Sequence, residues 1–475
     1  MRVCEHDSSF SYFDGSRVRY LKTERKFQQK HHGINNLTDW ENIIYEEWGI
    51  ISSDLDEIAI VLDPWRYDLS IREDGFFPSI DFNQLGASCK VTRVNHHYAH
   101  HLSCWPIIKD PHKYSGFSLD GYGDHDVAWT VFKDQRAVDR GSKISHGSIG
   151  LSMSFLGAVF ELEGDGLDVA GKIMSLQSYG NMDQEFYKFL QQYGMGDIDH
   201  IFLPTYYVHQ WDKKLDWLHT VHEYVGDLLI DFFKMYFDED ETILYTGGVA
   251  LNVTWNTKLK RKFNIVIPPH TNDEGLSLGA LEFLRLKHNL DHFTLNNFPF
   301  CQSDQAPMST PTQVTINKTV ELLKQQKIVG WYQGHGEMGP RALGHRSILA
   351  DPRNKDMRDK VNLIKRREGF RPFGCSTIDE NFSNSPYMLY AEKIDTESYP
   401  AVSHIDGTCR HQFVKSGHLL KLLQQFKTDT NCGTLLNTSL NINGKPLASY
   451  TANAHEIFNN SQLDAIVIGD EIIQK

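Results

Sequence analysis

The segment VNHHYAHHL, residues 94–102, carries four imidazoles, His96, His97, His100 and His101, within six positions. On a helix, residues four apart share a face. The segment therefore offers two pairs, His96 with His100 and His97 with His101, turned about 100° from each other. Either pair could grip one cation, as the two histidines of an HExxH helix hold zinc. The glutamate that motif requires is missing, because His97 and Tyr98 follow the first histidine of each pair. Metalloprotease chemistry is excluded on that ground. Oxygen ligands would have to complete such a site. SLDGYGD places Asp120 at the end of an expected strand, and PPHTNDEGLSLGA places Asp273 just before a helix rich in small residues. Two imidazoles and two carboxylates suit iron(II), manganese or zinc, and softness does not choose among them.

A second chemistry concerns anions. TGGVALN, residues 246–252, sets Gly247 and Gly248 between a strand and a helix, where backbone N–H groups can receive a phosphate. Asn252 closes the motif and is counted with them as nucleotide-binding. The pattern is neither GxxxxGK[ST] nor GxGxxG, so neither a P-loop nor a dinucleotide site is indicated. SLDGYGD supplies a second glycine turn, and two such turns are what a split nucleotide cleft would need. From Arg341 to Arg371, ten Lys or Arg face four Asp or Glu. Glycines and prolines fix this stretch as loops through Arg341, Arg346 and Arg353, before Lys360 and Lys365 fall on a helix and Arg371 follows. Arg410, Asn437 and Ser439 lie downstream. Forked guanidiniums suit small dianions. The set describes a deep anion pocket rather than a nucleic-acid stripe, which would want interleaved aromatics.

These groups need elements to hold them, and 475 residues are enough for two or three domains. SSFSYF and SRVRYLK read as a hairpin about Asp14-Gly15, followed by a helix from Asp39 with Thr38 and Glu41 at capping-box spacing and Gly49 closing it. DEIAIVL, KVTRVN and the pair YSGFSLDG/DVAWTVF read as strands, and ETILYTGG as a strand running into the helix ALNVTWNTKLKR. Periodicity is lost over 291–314, which carries Pro299, Pro307 and Pro311. The remainder reads as helices over TVELLKQQ, 355–368 and 417–427, with strands KIVGWYQ, GTLLN and DAIVIGDEII. The expected class is α/β, with domains over 1–298 and 315–475 joined by a linker over 299–314. The seven cysteines are scattered without a CxxC pair, which argues against a thiolate zinc site or a disulfide scaffold. The opening MRVCEHDSSF has no apolar leader and no run of about 20 apolar residues follows, so the expectation is a cytoplasmic protein off the membrane. A net charge of −13 discourages broad nucleic-acid binding.

In order along the chain stand HDSS, ER at 24–25 with Lys30-His31, VNHHYAH, LDGYGD, GGVALN, NDEG, GPRALGHRSILADPR, HIDGTCR and NTSLN. The series resembles the O-carbamoyltransferases of nodulation-factor and antibiotic biosynthesis over nearly the whole chain. What the resemblance implies is an actin/Hsp70/sugar-kinase-like (Kae1-like) N-terminal domain followed by a YrdC-like α/β domain. The second would make carbamoyl-adenylate from carbamoyl phosphate and ATP with Mg2+. The first would hold that intermediate at a metal, iron(II) ahead of manganese or zinc, while a substrate hydroxyl attacks. The family spacing selects His96, His100, Asp120 and Asp273 as ligands and leaves His97 and His101 to packing. Lys365, Arg371, Arg410 and Ser439, with Arg341 and Arg346, would bind carbamoyl phosphate, and His6 and Lys30 are candidates for the transfer site.

Departures from the family pattern are MSLQSYG at 174–180, Leu440 in NTSLN, and a shortened stretch between His146 and Gly180. They bear on the nucleotide cleft and the acceptor, which could be a sugar or antibiotic-like molecule or a hydroxymethylated pyrimidine, free or in DNA. A homodimer is one open assembly. Two other readings keep the same clefts: threonylcarbamoyl transfer to tRNA, and an ATP-bound scaffold without turnover.

Overall fold

A computed structural model describes the chain except for residues 35, 63–78, 84, 134–135, 145–147, 165, 195–210, 294 and 296. His146, where the shortened stretch begins, lies outside the described residues. The class is α/β with mixed sheets. The chain divides into two compact units, one of Met1–Ile58, Asn83–Lys90 and His288–Lys475, the other of Ala59–Phe82 and Val91–Lys287. This differs from a single break over 299–314. That segment is packed inside the first unit: the Lys22 N–H donates to Gln302 Oε1 at 3.1 Å and Trp48 Nε1 to Ser303 Oγ at 3.1 Å. Arg25 Nη2 likewise reaches Gly339 O at 3.1 Å.

Within the first unit, the hairpin Ser9–Phe13/Val18–Lys22 forms as expected, with Phe13 opposite Val18. The helix Asp39–Trp48 ends on Gly49 in the left-handed region (φ 70). Its expected capping box is absent. Thr38 is itself helical and makes no side-chain cap, and Glu41 instead accepts from the Ser52 N–H at 2.6 Å. The C-terminal part is an eight-stranded mixed sheet. Helices Met357–Lys365 and Thr451–Asn460 cover one face through Met357, Val361, Ile364 and Phe458. Helices Gln313–Lys324 and Gly417–Thr430 cover the other through Val320, Leu423 and Phe426. The sheet is sandwiched, and the three-layer arrangement buries both of its faces.

Four of its strands were not legible as strands, among them the short edge strand Ala391–Lys393. Arg346–Ala350, expected as loop, is a fully buried strand between Thr434–Ser439 and Val329–Tyr332. Gly374–Thr377 and Thr408–Phe413 pair in parallel. The last expected strand is a hairpin, Ala465–Ile468 with Glu471–Gln474.

The second unit contains a five-stranded sheet in the order Asn264–Val266, Thr242–Thr246, Ser115–Leu119, Trp129–Lys133, Arg136–Gly141. The last three form an antiparallel meander, and the first two run parallel to Ser115–Leu119. Two strand ends and one helix of this unit position the histidine site.

The strand Arg346–Ala350 changes the reading of Arg346. Its guanidinium donates to Gln333 O at 2.6 Å, to Asp304 Oδ2 and Gly334 O at 2.9 Å, and to Gln305 O at 3.1 Å. It also stacks on Tyr332 at 3.7 Å, and neither its side chain nor that of Asp304 is exposed. Arg346 braces the fold and does not present its fork to an anion. Removing one member of a buried ion pair strands the other charge, at a cost of about 3–5 kcal/mol. Arg346→Ala is expected to lower the denaturant midpoint accordingly. An unchanged midpoint would show that the pair contributes nothing.

Candidate functional site

The helix His96–Ser103 begins where the strand Lys90–Val94 stops. Asn95 caps it by accepting from the Tyr98 N–H at 3.1 Å, and Asp124 fixes its first turn by accepting from the His96 N–H at 2.8 Å. Asp124 also pairs with buried Arg93. Asp120 follows the strand Ser115–Leu119, and Asp273 opens the turn that leads into the helix Leu276–Lys287. The two helices meet closely because residue 279 is glycine: a Cβ there would lie 1.8 Å from Ala99 O.

The result is a convergence of four side chains. His100 Nε2 lies 2.9 Å from Asp120 Oδ2 and 3.3 Å from Asp273 Oδ1, and His96 Nε2 lies 3.7 and 3.5 Å from the same oxygens. All four ligand atoms fall within 4.8 Å of one another. Ligands at about 2.1 Å from a cation stand roughly 3.0–3.4 Å apart along the edges of an octahedron or tetrahedron. His96 Nε2 is buried and makes no hydrogen bond, which a cation between the four groups would remedy. Burial alone would depress His100, but the two carboxylates overcome it and raise its pKa to about 9. The donor set therefore fits a divalent metal. His97 is turned to Thr130 Oγ1 at 2.9 Å, and burial followed by the charges of His96 and His100 pushes it well below the usual range. His101 stacks on Phe132 at 4.4 Å. Both rings are engaged by neighbours other than the two carboxylates.

The glycine turn works differently from its sequence reading. Gly247 has φ 96, and a Cβ there would meet Leu119 O at 2.1 Å. Its N–H donates to Thr271 O at 2.8 Å and so is not offered to a phosphate. Gly248 leaves room for the metal-site carboxylate, since a Cβ would lie 2.9 Å from Asp120 Oδ1. Asn252 caps the helix Val253–Lys260 by accepting from Thr254 and Trp255 N–H groups at 3.2 Å, and donates to His222 at 3.1 Å. Its amide thereby braces the start of this helix.

In the first unit, the cations converge around Lys365. Its buried ammonium donates to Ser439 O at 2.6 Å, Asn441 O at 2.8 Å and Ser439 Oγ at 2.9 Å. Burial, then the charges of Arg367, Arg371 and Lys30, push it well below the usual lysine range. Arg367 lies over Phe373 at 4.0 Å and donates to Pro372 O at 3.0 Å; burial, Arg371 and Arg410 depress it strongly. Burial and Arg371 lower Arg410 to about 10, against the pull of Cys409 and Cys375, and its buried Nε has no partner among the described residues. Glu368 approaches Arg371 at 3.6 Å without cancelling these effects. Arg367 and Asn441 were not singled out by sequence; a charged residue inside a basic run reads as a solvated face.

Arg341 belongs to a loop held from behind. Glu337 Oε1 accepts from the N–H groups of Leu343 and His345 at 2.8 Å and of Arg346 at 3.0 Å. Gln412 donates to Leu343 O at 2.6 Å, and Asn437 donates to Ala342 O at 3.2 Å and Ser376 Oγ at 2.7 Å. Asn437 thus supports the loop. His6 leans on Asp7 at 3.4 Å, and Asp7 also receives Lys22 at 3.5 Å and His31 at 3.3 Å. Asp7, Glu24 and His31 could group around a cation. Lys22 already supplies that charge, at 3.1 Å from Glu24.

Two models of one protein family match most of the chain. The "Carbamoyltransferase N-terminus" matches residues 84–281 and the "Carbamoyltransferase C-terminus" residues 320–475. The chain is 27% identical to the nodulation protein NolO of Bradyrhizobium diazoefficiens over 447 residues, 80% of this chain and 79% of that protein. It is 31% identical to the 3'-hydroxymethylcephem-O-carbamoyltransferase of Amycolatopsis lactamdurans over 258 residues, 50% of this chain and 49% of that one. An uncharacterized Synechocystis protein is 31% identical over 293 residues, and there too the match spans only 48% of the relative's length. Among solved structures, component A of the (R)-2-hydroxyglutaryl-CoA dehydratase of Acidaminococcus fermentans aligns with 59% of this chain and 95% of its own. The TM-score is 0.39 at 13% identity, a likeness too weak to carry an argument.

Gly248→Ala is expected to displace the Asp120 carboxylate and weaken manganese binding by about tenfold or more with the fold retained, as losses of ligand orientation do. Calorimetric titration with manganese checks this, and unchanged affinity would contradict the geometry. A lysine with a depressed pKa binds fewer protons folded than unfolded, between its folded value and about 10.4. A dianion beside Lys365 favours its charged form, so sulfate binding should take up protons in the pH window between the folded value and about 10.4. Titration in buffers of different ionisation enthalpy reads the uptake, which Lys365→Met should remove.

Proposed function

The chain belongs to the carbamoyltransferase family, and from that membership we propose that it is an ATP-dependent O-carbamoyltransferase whose two chemical steps fall on its two units. The observation that carries the proposal is the gathering of Lys365, Arg367, Arg371 and Arg410, where burial first and neighbouring cations second lower Lys365, Arg367 and Arg410 below their usual ranges. Such a cluster is relieved by a small dianion, and carbamoyl phosphate is one. On this reading the YrdC-like assignment belongs to the C-terminal sheet and the Kae1-like assignment to the domain that carries His96 and Asp120.

In the first step, water releases phosphate from carbamoyl phosphate, and an oxygen of the resulting carbamate attacks the α-phosphorus of ATP. Pyrophosphate leaves, Mg2+ accompanying it, and carbamoyl-adenylate remains. Lys365 and Ser439 orient the donor, while Arg371 and Arg410 stabilise charge that grows on the phosphoryl oxygens. Arg341, on its braced loop, adds a further guanidinium. Exclusion of water protects both reactive carbamoyl species.

In the second step a hydroxyl oxygen of the acceptor attacks the carbamoyl carbon and AMP leaves with the bond electrons. A divalent metal held by His96, His100, Asp120 and Asp273, iron(II) ahead of manganese or zinc, would supply positive charge to the departing phosphate. The resemblance offers His6 as the base that takes the hydroxyl proton in this step, and Lys30 as a cation. The name of the Amycolatopsis relative specifies a hydroxymethyl group, and a primary hydroxyl on a sugar-like, antibiotic-like or hydroxymethylpyrimidine acceptor is proposed here. The net charge of −13 favours a small acceptor over DNA.

The test is incubation with labelled carbamoyl phosphate, ATP and an acceptor panel that includes hydroxymethylcytosine DNA, read by mass spectrometry. Lys365→Ala should reduce carbamoyl-phosphate-dependent pyrophosphate release by about a hundredfold or more. His100→Ala should leave that release intact and stop transfer. Equal loss of both half-reactions in His100→Ala would overturn the division of labour.

A further inference from the structure

Three soft ligands meet in the C-terminal sheet, none of them used above for the reaction. Cys375, Cys409 and His411 are 0%, 2% and 1% exposed. Their sulfur and ring-nitrogen atoms lie within 4.8 Å of one another. Linear spacing hid the group, since 34 residues separate the two cysteines. The fold assembles it by register. Cys375 stands directly opposite His411 across the parallel pair Gly374–Thr377/Thr408–Phe413, and Cys409 is two residues from His411 on the same strand face.

We propose that Cys375, Cys409 and His411 form a second metal site, for a thiophilic cation that zinc satisfies, distinct from the imidazole–carboxylate cluster. The two sulfurs are 3.5 Å apart. Tetrahedral zinc with bonds of about 2.3 Å to sulfur separates its thiolates by about 3.7 Å, so the pair needs almost no movement. The His411 ring is fixed in plane by stacking on Phe382 at 3.7 Å and 9°. Two thiolates and one imidazole without a carboxylate select zinc over iron(II) or manganese, whereas two imidazoles and two carboxylates do not. A fourth position would be left to water or a backbone carbonyl; Phe373 O lies 3.9 Å from Cys409 Sγ.

The placement gives the site a structural consequence. Cys375 and Cys409 belong to the apolar cluster that includes Met357, Val361 and Ile364 of the helix ending in Lys365. Arg410 lies between Cys409 and His411 in the strand and projects to the opposite face. A cation bound to the trio would pin the two strands in register and so fix where Arg410 stands. Thiolates, not thiols, ligate a metal, so cation uptake at this trio expels protons.

The experiment uses the full chain carrying His100→Ala, so that the other cluster is disabled, stripped of metal and kept reduced. Cobalt(II) is titrated in and then displaced by zinc. The expected result is a sulfur-to-cobalt charge-transfer band that saturates at one equivalent and vanishes with zinc. Cys409→Ala and His411→Ala should each weaken cobalt binding at least tenfold. If a variant fails to fold, zinc X-ray absorption on the parent protein decides, with two sulfur neighbours at about 2.3 Å expected. Absence of the band, or a zinc shell without sulfur, overturns the proposal. Neither outcome depends on carbamoyl transfer.

Discussion

Like charges repel, and the C-terminal region gathers Lys365, Arg367, Arg371 and Arg410, so that burial first and neighbouring cations second hold Lys365, Arg367 and Arg410 below their usual ranges. Two of the cations meet neutral acceptors, backbone and side-chain oxygens of Ser439 and Asn441 for Lys365, and Pro372 O and the Phe373 ring for Arg367, while Glu368 approaches Arg371 at 3.6 Å. Neutral acceptors satisfy hydrogen bonds but leave the net charge in place. On the proposed function, a small dianion completes the arrangement.

The supporting structure follows from that constraint. Asp304, Arg346 and Glu337 are buried ions that pair or collect backbone N–H groups. They brace the loop that carries Arg341 and the strand behind it. Buried ions of this kind contribute little net stability but penalise alternative arrangements, because each misplacement strands a charge. In the second unit the same principle operates with the signs reversed. Asp120 and Asp273 face two imidazoles, and glycines at 248 and 279 give the carboxylate and the neighbouring helix their room.

The histidine cluster was the most legible part of the sequence, because its ligands lie on one helix and at two element ends, and helical spacing is a local property. Asp120 at a strand end and Asp273 ahead of a helix were legible for the same reason. The strand through Arg346 was not, since a short apolar run flanked by glycine and proline does not distinguish loop from buried strand. Arg346, Asn437, Gly247 and Asn252 carry residue types that suit ligand binding, but long-range pairing turns each toward the protein itself. The Cys375–Cys409–His411 group was invisible because sheet register assembles it, which no linear spacing encodes, and Glu337, Arg367 and Asn441 sit in loops, where residue type alone does not show the partner.

The central claim is that two separate charge clusters serve two steps, an anion at the cations and a metal at the imidazoles and carboxylates. Crystals of the full chain grown with carbamoyl phosphate and manganese, measured for anomalous scattering, test it most directly. The account requires a phosphate-bearing density between Lys365 and Arg410, and an anomalous peak within bonding distance of His96, His100, Asp120 and Asp273. Manganese bound elsewhere, or the phosphate group seated away from Lys365, would contradict it.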